Sequence, residues 1–481
     1  MSDDREVREL ALSCLLLGFV GPVPPPWLLD ALAAGLGGVV LFGSNLGDGT
    51  EVAQLTKTLR AAAGRDIVLA LDEEGGDVTR LDTVRGSSSP GAAALGHLDD
   101  ADVTEAVYRE LGARCAEAGV TLNLAPVADV NVDPRNPVIG PRAFSADPDV
   151  AARHTAAAVR GIQAAGVAAC LKHFPGHGAT WADSHHEVAT LDRSRDNLEQ
   201  VELPPFRAGI AAGARAVMTG HLLVPALDPD ALATVSAPIT TDLLRGDLGF
   251  AGTVVTDALE MRAVSATIGM VDGFVRALAA GADAIETGAL DHPELIEQSP
   301  EAVAVAVAEG RLSLTRVRDA AQRTSALSRL PHHGGRDFGP KIDHAGGEDE
   351  MFGRCLEVVG TLPVLHDPLV IECRTPGGMA SGELPWSVGA ALAEFVPGTE
   401  TVKTTGPVEL PAGRDVVLVV REPQRIAWQQ PMLAAAAGRA GTVVVDCGWP
   451  AEIGGVPVVR TRGIAPGLLR AAARALAGGE R

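Results

Sequence analysis

Fourteen residues carry a dense set of ionisable groups: Lys172-His173-Phe174-Pro175-Gly176-His177-Gly178-Ala179-Thr180-Trp181-Ala182-Asp183-Ser184-His185. An ammonium, three imidazoles and a carboxylate lie within reach of one another along the chain. Asp183 precedes His185 by two residues, and a carboxylate so placed can orient the ring and raise its pKa. That pairing makes a proton shuttle near neutral pH. The D-x-H spacing is common in proteins, so its weight comes from its surroundings. The apolar run Val167–Leu171 leads into it, and Gly and Pro then end regular structure. A barrel strand that ends in a catalytic loop has this pattern.

Other apolar runs end in polar groups in the same way: Asp72-Glu73-Glu74, Asp129, His221, Asp257 and Glu286. Asp257 closes Thr253-Val254-Val255-Thr256. A carboxylate at the end of a buried strand is costly unless it is paired or used, so Asp257 is a candidate nucleophile or base. The competing reading is a cap for the next helix. Asp72 heads Asp72-Glu73-Glu74-Gly75-Gly76, whose glycines permit a tight turn close to a ligand. A carboxylate with two acceptor oxygens suits neighbouring sugar hydroxyls, though a surface acid or a cap fits the same spacing. Arg80, Arg142 and Lys172 are cations near strand ends of an acidic chain, and either a site or ordinary surface salt bridges would account for them.

The elements that must hold these groups follow from the alternation of apolar runs and Ala-rich amphipathic stretches. The runs are Gly38–Phe42, Ile67–Leu71, Thr121–Pro126, Val167–Leu171, Ala214–Met218, Thr253–Thr256 and Ala282–Glu286. Helix-like segments such as Thr50–Ala62, Asp102–Ala118 and Asp147–Ala165 separate them. Such βα repetition predicts an α/β fold, a TIM (β/α)8 barrel over residues 1–327, with its site at the carboxyl ends of the strands. Residues 328–350, rich in Gly, His and acid, read as a linker. Strand runs Leu369–Cys373, Val416–Arg421, Thr442–Cys447 and Val458–Thr461 predict a second, smaller C-terminal α/β domain over 351–481. Pro376-Gly377-Gly378 does not match a dinucleotide-binding fingerprint.

At 481 residues, 46% hydrophobic and 21% charged, the chain is globular. Its net charge of −21 repels nucleic acid and anionic membranes, so neither is expected as a partner. The six Cys form no metal-type spacing and read as buried thiols. No basic region precedes the apolar stretch Leu10–Val20, which is also too short to span a bilayer, and a cytoplasmic protein is expected.

Four segments together resemble glycoside hydrolase family 3, in its β-N-acetylglucosaminidase branch. Lys172 to Gly178 followed by Asp183-Ser184-His185 is similar to that branch's signature. Leu71-Asp72-Glu73-Glu74-Gly75-Gly76 through Arg80-Leu81 resembles its D-x-E-G-G-x-V-x-R-L run. Val138 to Phe144 resembles I-G-x-R-x-F, and Thr256-Asp257-Ala258-Leu259-Glu260-Met261 resembles S-D-x-L-x-M. The resemblance covers roughly residues 8–325. It implies Asp257 as nucleophile, His185 as general acid/base assisted by Asp183, and Asp72, Arg80, Arg142, Lys172 and His173 around the −1 sugar. It implies an exo-acting, retaining hydrolase of β-linked GlcNAc from chito-oligosaccharides or cell-wall fragments, with no cofactor and no metal. Asp77 stands where that pattern often has a basic residue, Ala179 where it often has Asp, and Glu73 where it often has Gln. These departures leave the aglycone preference open, as does Trp181, a candidate to stack on a leaving sugar.

Three rival readings remain. A β-glucosidase of the same family usually has Trp after the nucleophile, where this chain has Ala258. A phosphorylase would exploit a neutral imidazole, which repels phosphate less than a carboxylate does. A barrel metallohydrolase would use His173, His177, His185 and His186 as ligands, but Pro175-Gly176 breaks the helix that such spacing needs.

Overall fold

The computed structural model describes residues 2–47, 51–183, 188–329, 348–375, 378, 380, 382 and 384–478. Eight short parallel strands lie in its first part: β1 (Leu15–Leu17), β2 (Gly38–Leu41), β3 (Val68–Leu71), β4 (Leu122–Asn123), β5 (Ala168–Phe174), β6 (Ala216–Thr219), β7 (Thr253–Thr256) and β8 (Ile285–Glu286). Each pairs with its successor, β8 also pairs with β1, and a Val255–Ala284 bridge joins β7 to β8. The sheet is thus closed into the expected (β/α)8 barrel.

Closure follows from strands that are apolar on both faces. Leu16, Val40, Val68, Ala70, Leu122, Leu124, Ala168, Cys170, Ala216, Met218, Val255 and Ala284 form one cluster that fills the barrel. Their neighbours, among them Leu15, Leu17, Val39, Leu69, Leu71, Leu171, Val254 and Ile285, belong to a second cluster under the outer helices. Alternate residues of a strand face opposite sides, and both sides of this sheet are covered. Burying each large aliphatic side chain contributes roughly 1.5–3 kcal/mol. The helices are set by local signals. Asp100 Oδ1 accepts from Val103 N at the start of Ala101–Glu117, and Asp147 Oδ1 accepts from Asp149 N ahead of Pro148.

A six-stranded sheet forms the second unit: β9 (Glu357–Val359), β10 (Leu369–Cys373), β11 (Glu400–Thr404), β12 (Val416–Val420), β13 (Thr442–Asp446) and β14 (Val458–Arg460). Its order is β9-β14-β13-β12-β10-β11, parallel except for β9. Most of the expected linker, 330–347, lies outside the described residues. Residues 348–350 belong to the helix Glu348–Arg354, which packs on the helix Pro466–Leu476.

The two units meet beside the barrel's carboxyl end. Arg421 Nη2 lies 2.6 Å from Asp77 Oδ2, and Ile464 N donates to Asp77 Oδ1 at 2.8 Å. Gln424 Nε2 donates to the Pro134 carbonyl at 2.8 Å, and Arg80 Nη2 to the Ala380 carbonyl at 2.8 Å. All six cysteines are buried and free. Among the described residues, no helix is long and apolar enough to cross a membrane.

Candidate active site

The inner face of the barrel sets the site. Ala70, Cys170, Val255 and Ala284 point inward, and two residues further on, the same faces carry Asp72, Lys172, Asp257 and Glu286. This layer sits above Cys170, whose thiol is pushed far up by burial, with the carboxylates of Glu286, Asp72 and Asp257 adding to that effect.

A buried ion network covers one side of the layer. Lys172 Nζ lies 2.6 Å from Asp72 Oδ1 and 2.7 Å from Glu74 Oε1. Arg142 grips Glu74 with two bonds, Nε to Oε2 at 2.9 Å and Nη2 to Oε1 at 2.8 Å. Arg80 Nη2 stands 3.4 Å from Asp72 Oδ2. The Lys172 side chain is only 2% exposed and that of Arg142 8%, which excludes ordinary surface salt bridging. Burial opposes each charge, yet the partners win. Arg142 and Lys172 hold Glu74 well below the usual carboxylate range, and Lys172 and Arg80 lower Asp72. Asp72 and Glu74 in turn raise Lys172 against the effect of its burial. Glu73 points away from this network. Its Oε2 accepts from Thr79 Oγ1 at 3.0 Å, Arg80 N at 2.8 Å and Leu81 N at 3.0 Å, so it ties the turn that presents Arg80. Gly76 makes that turn possible: its φ is +59°, and a Cβ there would lie 2.6 Å from Gly91 Cα.

Lys172 and His173 lie where the β5–β6 register slips, between Leu171 and Phe174. In a regular strand these neighbours would face opposite sides. Asp129 fixes the segment. Its carboxylate accepts from His173 N at 3.2 Å and His177 N at 2.7 Å, and its Oδ2 is 2.8 Å from His173 Nδ1. That contact assigns the proton of a neutral His173 ring to Nδ1 and leaves Nε2 as an acceptor. His177 is buried, its pKa pushed down to about 4 by desolvation and then by His173, and its Nδ1 is 2.6 Å from Thr180 Oγ1. It serves the loop's structure.

Asp257 follows β7, half-buried. Its backbone N donates to the Thr219 carbonyl at 3.0 Å, and its Oδ1 accepts from Ala258 N at 2.8 Å. The next helix, Arg262–Ser265, has Met261 at its N-cap, so Asp257 does not cap it. Asp183 lines the cleft between the two units together with Asp77, Arg142 and Arg421. His185 falls within residues 184–187, outside the described residues. Trp181 is 70% exposed, with the Arg135 guanidinium 4.0 Å from its ring centre.

Sequence reasoning assigned no role to Asp129, although its place after a strand marked it, and it missed Glu74, the acid at the centre of the network. Asp77, unexplained in the sequence, is the barrel's partner for Arg421 of the second sheet.

The network carries an expected result. Lys172→Met leaves Asp72 and Glu74 short of a cation, and breaking a buried pair in this way costs about 3–5 kcal/mol of stability. A lost hydrogen bond to a charged group predicts a fall in kcat/KM of about 10–100-fold. Glu74 and Asp72 have folded pKa values below their unfolded ones. Their stabilisation is therefore present in full above pH ~4.5 and is lost as pH falls through the folded values. Thermal melts from pH 7 to pH 3 should show a shallower acid-side decline in the variant. Equal slopes would contradict this coupling.

Residues 30–327 match the Glycosyl hydrolase family 3 N terminal domain. A beta-hexosaminidase of Xylella fastidiosa (strain M23) is 39% identical over 299 residues, 60% of this chain and 87% of that protein. Beta-hexosaminidase A of Pseudoalteromonas piscicida is 36% identical over 280 residues, 54% of this chain, which spans about half (47%) of that relative's length. A glycoside hydrolase family 3 beta-N-acetylglucosaminidase from Paenibacillus sp. str. FPU-7 has a structure that matches with a TM-score of 0.86 at 29% identity, covering 98% of this chain and 97% of that one. With more than half its length matched by that domain, and the barrel, ion network and strand-end carboxylate in place, the chain belongs to glycosyl hydrolase family 3 and is a glycoside hydrolase.

Proposed function

We propose that the protein is an exo-acting, retaining β-N-acetylglucosaminidase that removes single GlcNAc units from the non-reducing ends of chito-oligosaccharides or cell-wall fragments. One observation carries this reading: the layer that sets the Asp72–Lys172–Glu74–Arg142 network on one side of the barrel mouth and Asp257 on the other. The ionised network presents fixed donors and acceptors to sugar hydroxyls, and His173 is proposed to add a further contact to the same sugar. The contact of Arg80 with the Ala380 carbonyl supports a pocket closed behind one sugar.

In the first step Asp257 attacks the anomeric carbon. The bond from that carbon to the glycosidic oxygen breaks, its electron pair goes to the leaving oxygen, and His185 supplies the proton. In the second step His185 takes a proton from water as the oxygen of that water attacks the same carbon, and the bond to Asp257 breaks. Asp183 orients the imidazole. We place the reaction in a reducing, cytoplasmic setting, where fragments of peptidoglycan turnover are the substrate; six buried, unpaired thiols support that setting.

The test is product analysis on a GlcNAc tetramer, with and without phosphate, alongside aryl β-GlcNAc and aryl β-glucoside. Monomer should appear first, rates should not depend on phosphate or EDTA, and the GlcNAc glycoside should be the better substrate. Early dimer without monomer would refute exo action. Formation of GlcNAc 1-phosphate would make the enzyme a phosphorylase, and preference for the glucoside would make it a glucosidase.

A further inference from the structure

Glu286 has no part in the mechanism above, yet it stands in the same layer. Val255 and Ala284 pair across β7 and β8, and both face inward. Thr256 N donates to the Ala284 carbonyl, and Glu286 N donates to Thr256 Oγ1, both at 3.0 Å. The inward faces two residues on hold Asp257 and Glu286, on strands spaced about 4.8 Å apart. On the other flank of β8, the β1 residue in register with Glu286 is the apolar Leu16, so of these two neighbours Asp257 is the ionisable one.

Glu286 is 3% exposed, and its Oε2 is buried with no hydrogen-bond partner. An ionised carboxylate there would be costly. The charged groups that act on it are Asp72 from the end of β3, Lys172 from β5, Asp257 from the end of β7 and Glu260 beyond it: three acids and one cation. That cation is already shared between Asp72 and Glu74. Burial first, then Asp72 and Asp257, drive the Glu286 carboxyl well above the usual range and so favour its protonated form. A buried O–H needs an acceptor, and the adjacent anion on the same face is Asp257.

We propose that Glu286 is a positioning residue for glycosyl transfer: its unpartnered Oε2 turns to donate a hydrogen bond to the Asp257 carboxylate and holds it in line with the anomeric carbon. The proposal rests on Asp257 acting as the nucleophile. It separates this carboxyl from the sugar-binding network, because its effect passes through Asp257 and not through the ground-state grip on the sugar.

The experiment compares Glu286→Gln and Glu286→Leu in the full chain, with a dinitrophenyl β-GlcNAc whose leaving group needs little acid assistance. Gln keeps a donor of similar shape and should lower kcat only about 3-fold. Leu removes the donor and should lower kcat about 10–100-fold, the range for a hydrogen bond to a charged group, with KM nearly constant. As pH rises, the wild-type kcat should decline where Glu286 ionises beside Asp257, and that decline should be missing from the Gln variant. Thermal melts would check that both variants are folded. Leu with wild-type kcat, Gln as damaged as Leu, or a loss confined to KM would each overturn the proposal. A wild-type enzyme that cleaves only glucosides would sink the substrate reading, while the Gln and Leu comparison on the cleaved glycoside would still test Glu286.

Discussion

Asp257→Ala is expected to abolish turnover of an aryl β-GlcNAc, with kcat down by several orders of magnitude and the fold retained. The carboxylate stands half-buried at the end of β7, anchored by Ala258 N, while the cations of the site are committed to Asp72 and Glu74. Among the proposed roles only this group forms the bond to the anomeric carbon, so its loss removes the two-step route itself. Retention of the fold is expected because the side chain caps no helix and fills no apolar core position. Azide offers a direct check. It enters the space of the missing carboxylate, attacks from the same face and leaves an α-glycosyl azide, restoring part of the rate. A near-wild-type kcat without azide would remove Asp257 from the nucleophile's role.

The second large effect concerns the leaving group. His185→Ala should cost about 10²–10⁴-fold in kcat on chitobiose, whose departing oxygen needs a proton, and far less on a dinitrophenyl glycoside. Asp183 lines the cleft between the two units, and Asp183→Asn should reproduce the same selectivity in milder form. Equal losses on both substrates would assign the proton transfer to another group.

Much of this arrangement was readable from residue order. The apolar runs ending in Asp72, Lys172 and Asp257 located strands β3, β5 and β7, because a strand buried on both faces must be continuously hydrophobic. Strand β1 escaped notice because Leu10–Val20 merges the end of the helix Ser2–Ser13 with a three-residue strand, and periodicity cannot divide so short a run. Strand β11, Glu-Thr-Val-Lys-Thr, lies exposed at a sheet edge and carries no apolar signature. Asp129 could be named but given no role, since its donors come from the end of β5 and the turn after it, which only the fold brings to it. Glu74 was hidden by its neighbours: three acids in a row do not reveal which one turns inward, and here Asp72 and Glu74 face the cations while Glu73 braces the turn.

The pairing of Asp77 with Arg421 bears on how such a chain can change over generations. The two residues are 344 positions apart, and their side chains are 5% and 13% exposed. Recombination that traded the second sheet for that of a relative would have to bring a cation to the place of Arg421. A basic residue at 77 would instead set two shielded positive charges face to face, and it would strip the Ile464 N–H of its acceptor. Changing either residue alone would leave a buried charge without its partner, at a cost of about 3–5 kcal/mol. An exchange of the second sheet would therefore have to preserve the contact between Asp77 and Arg421.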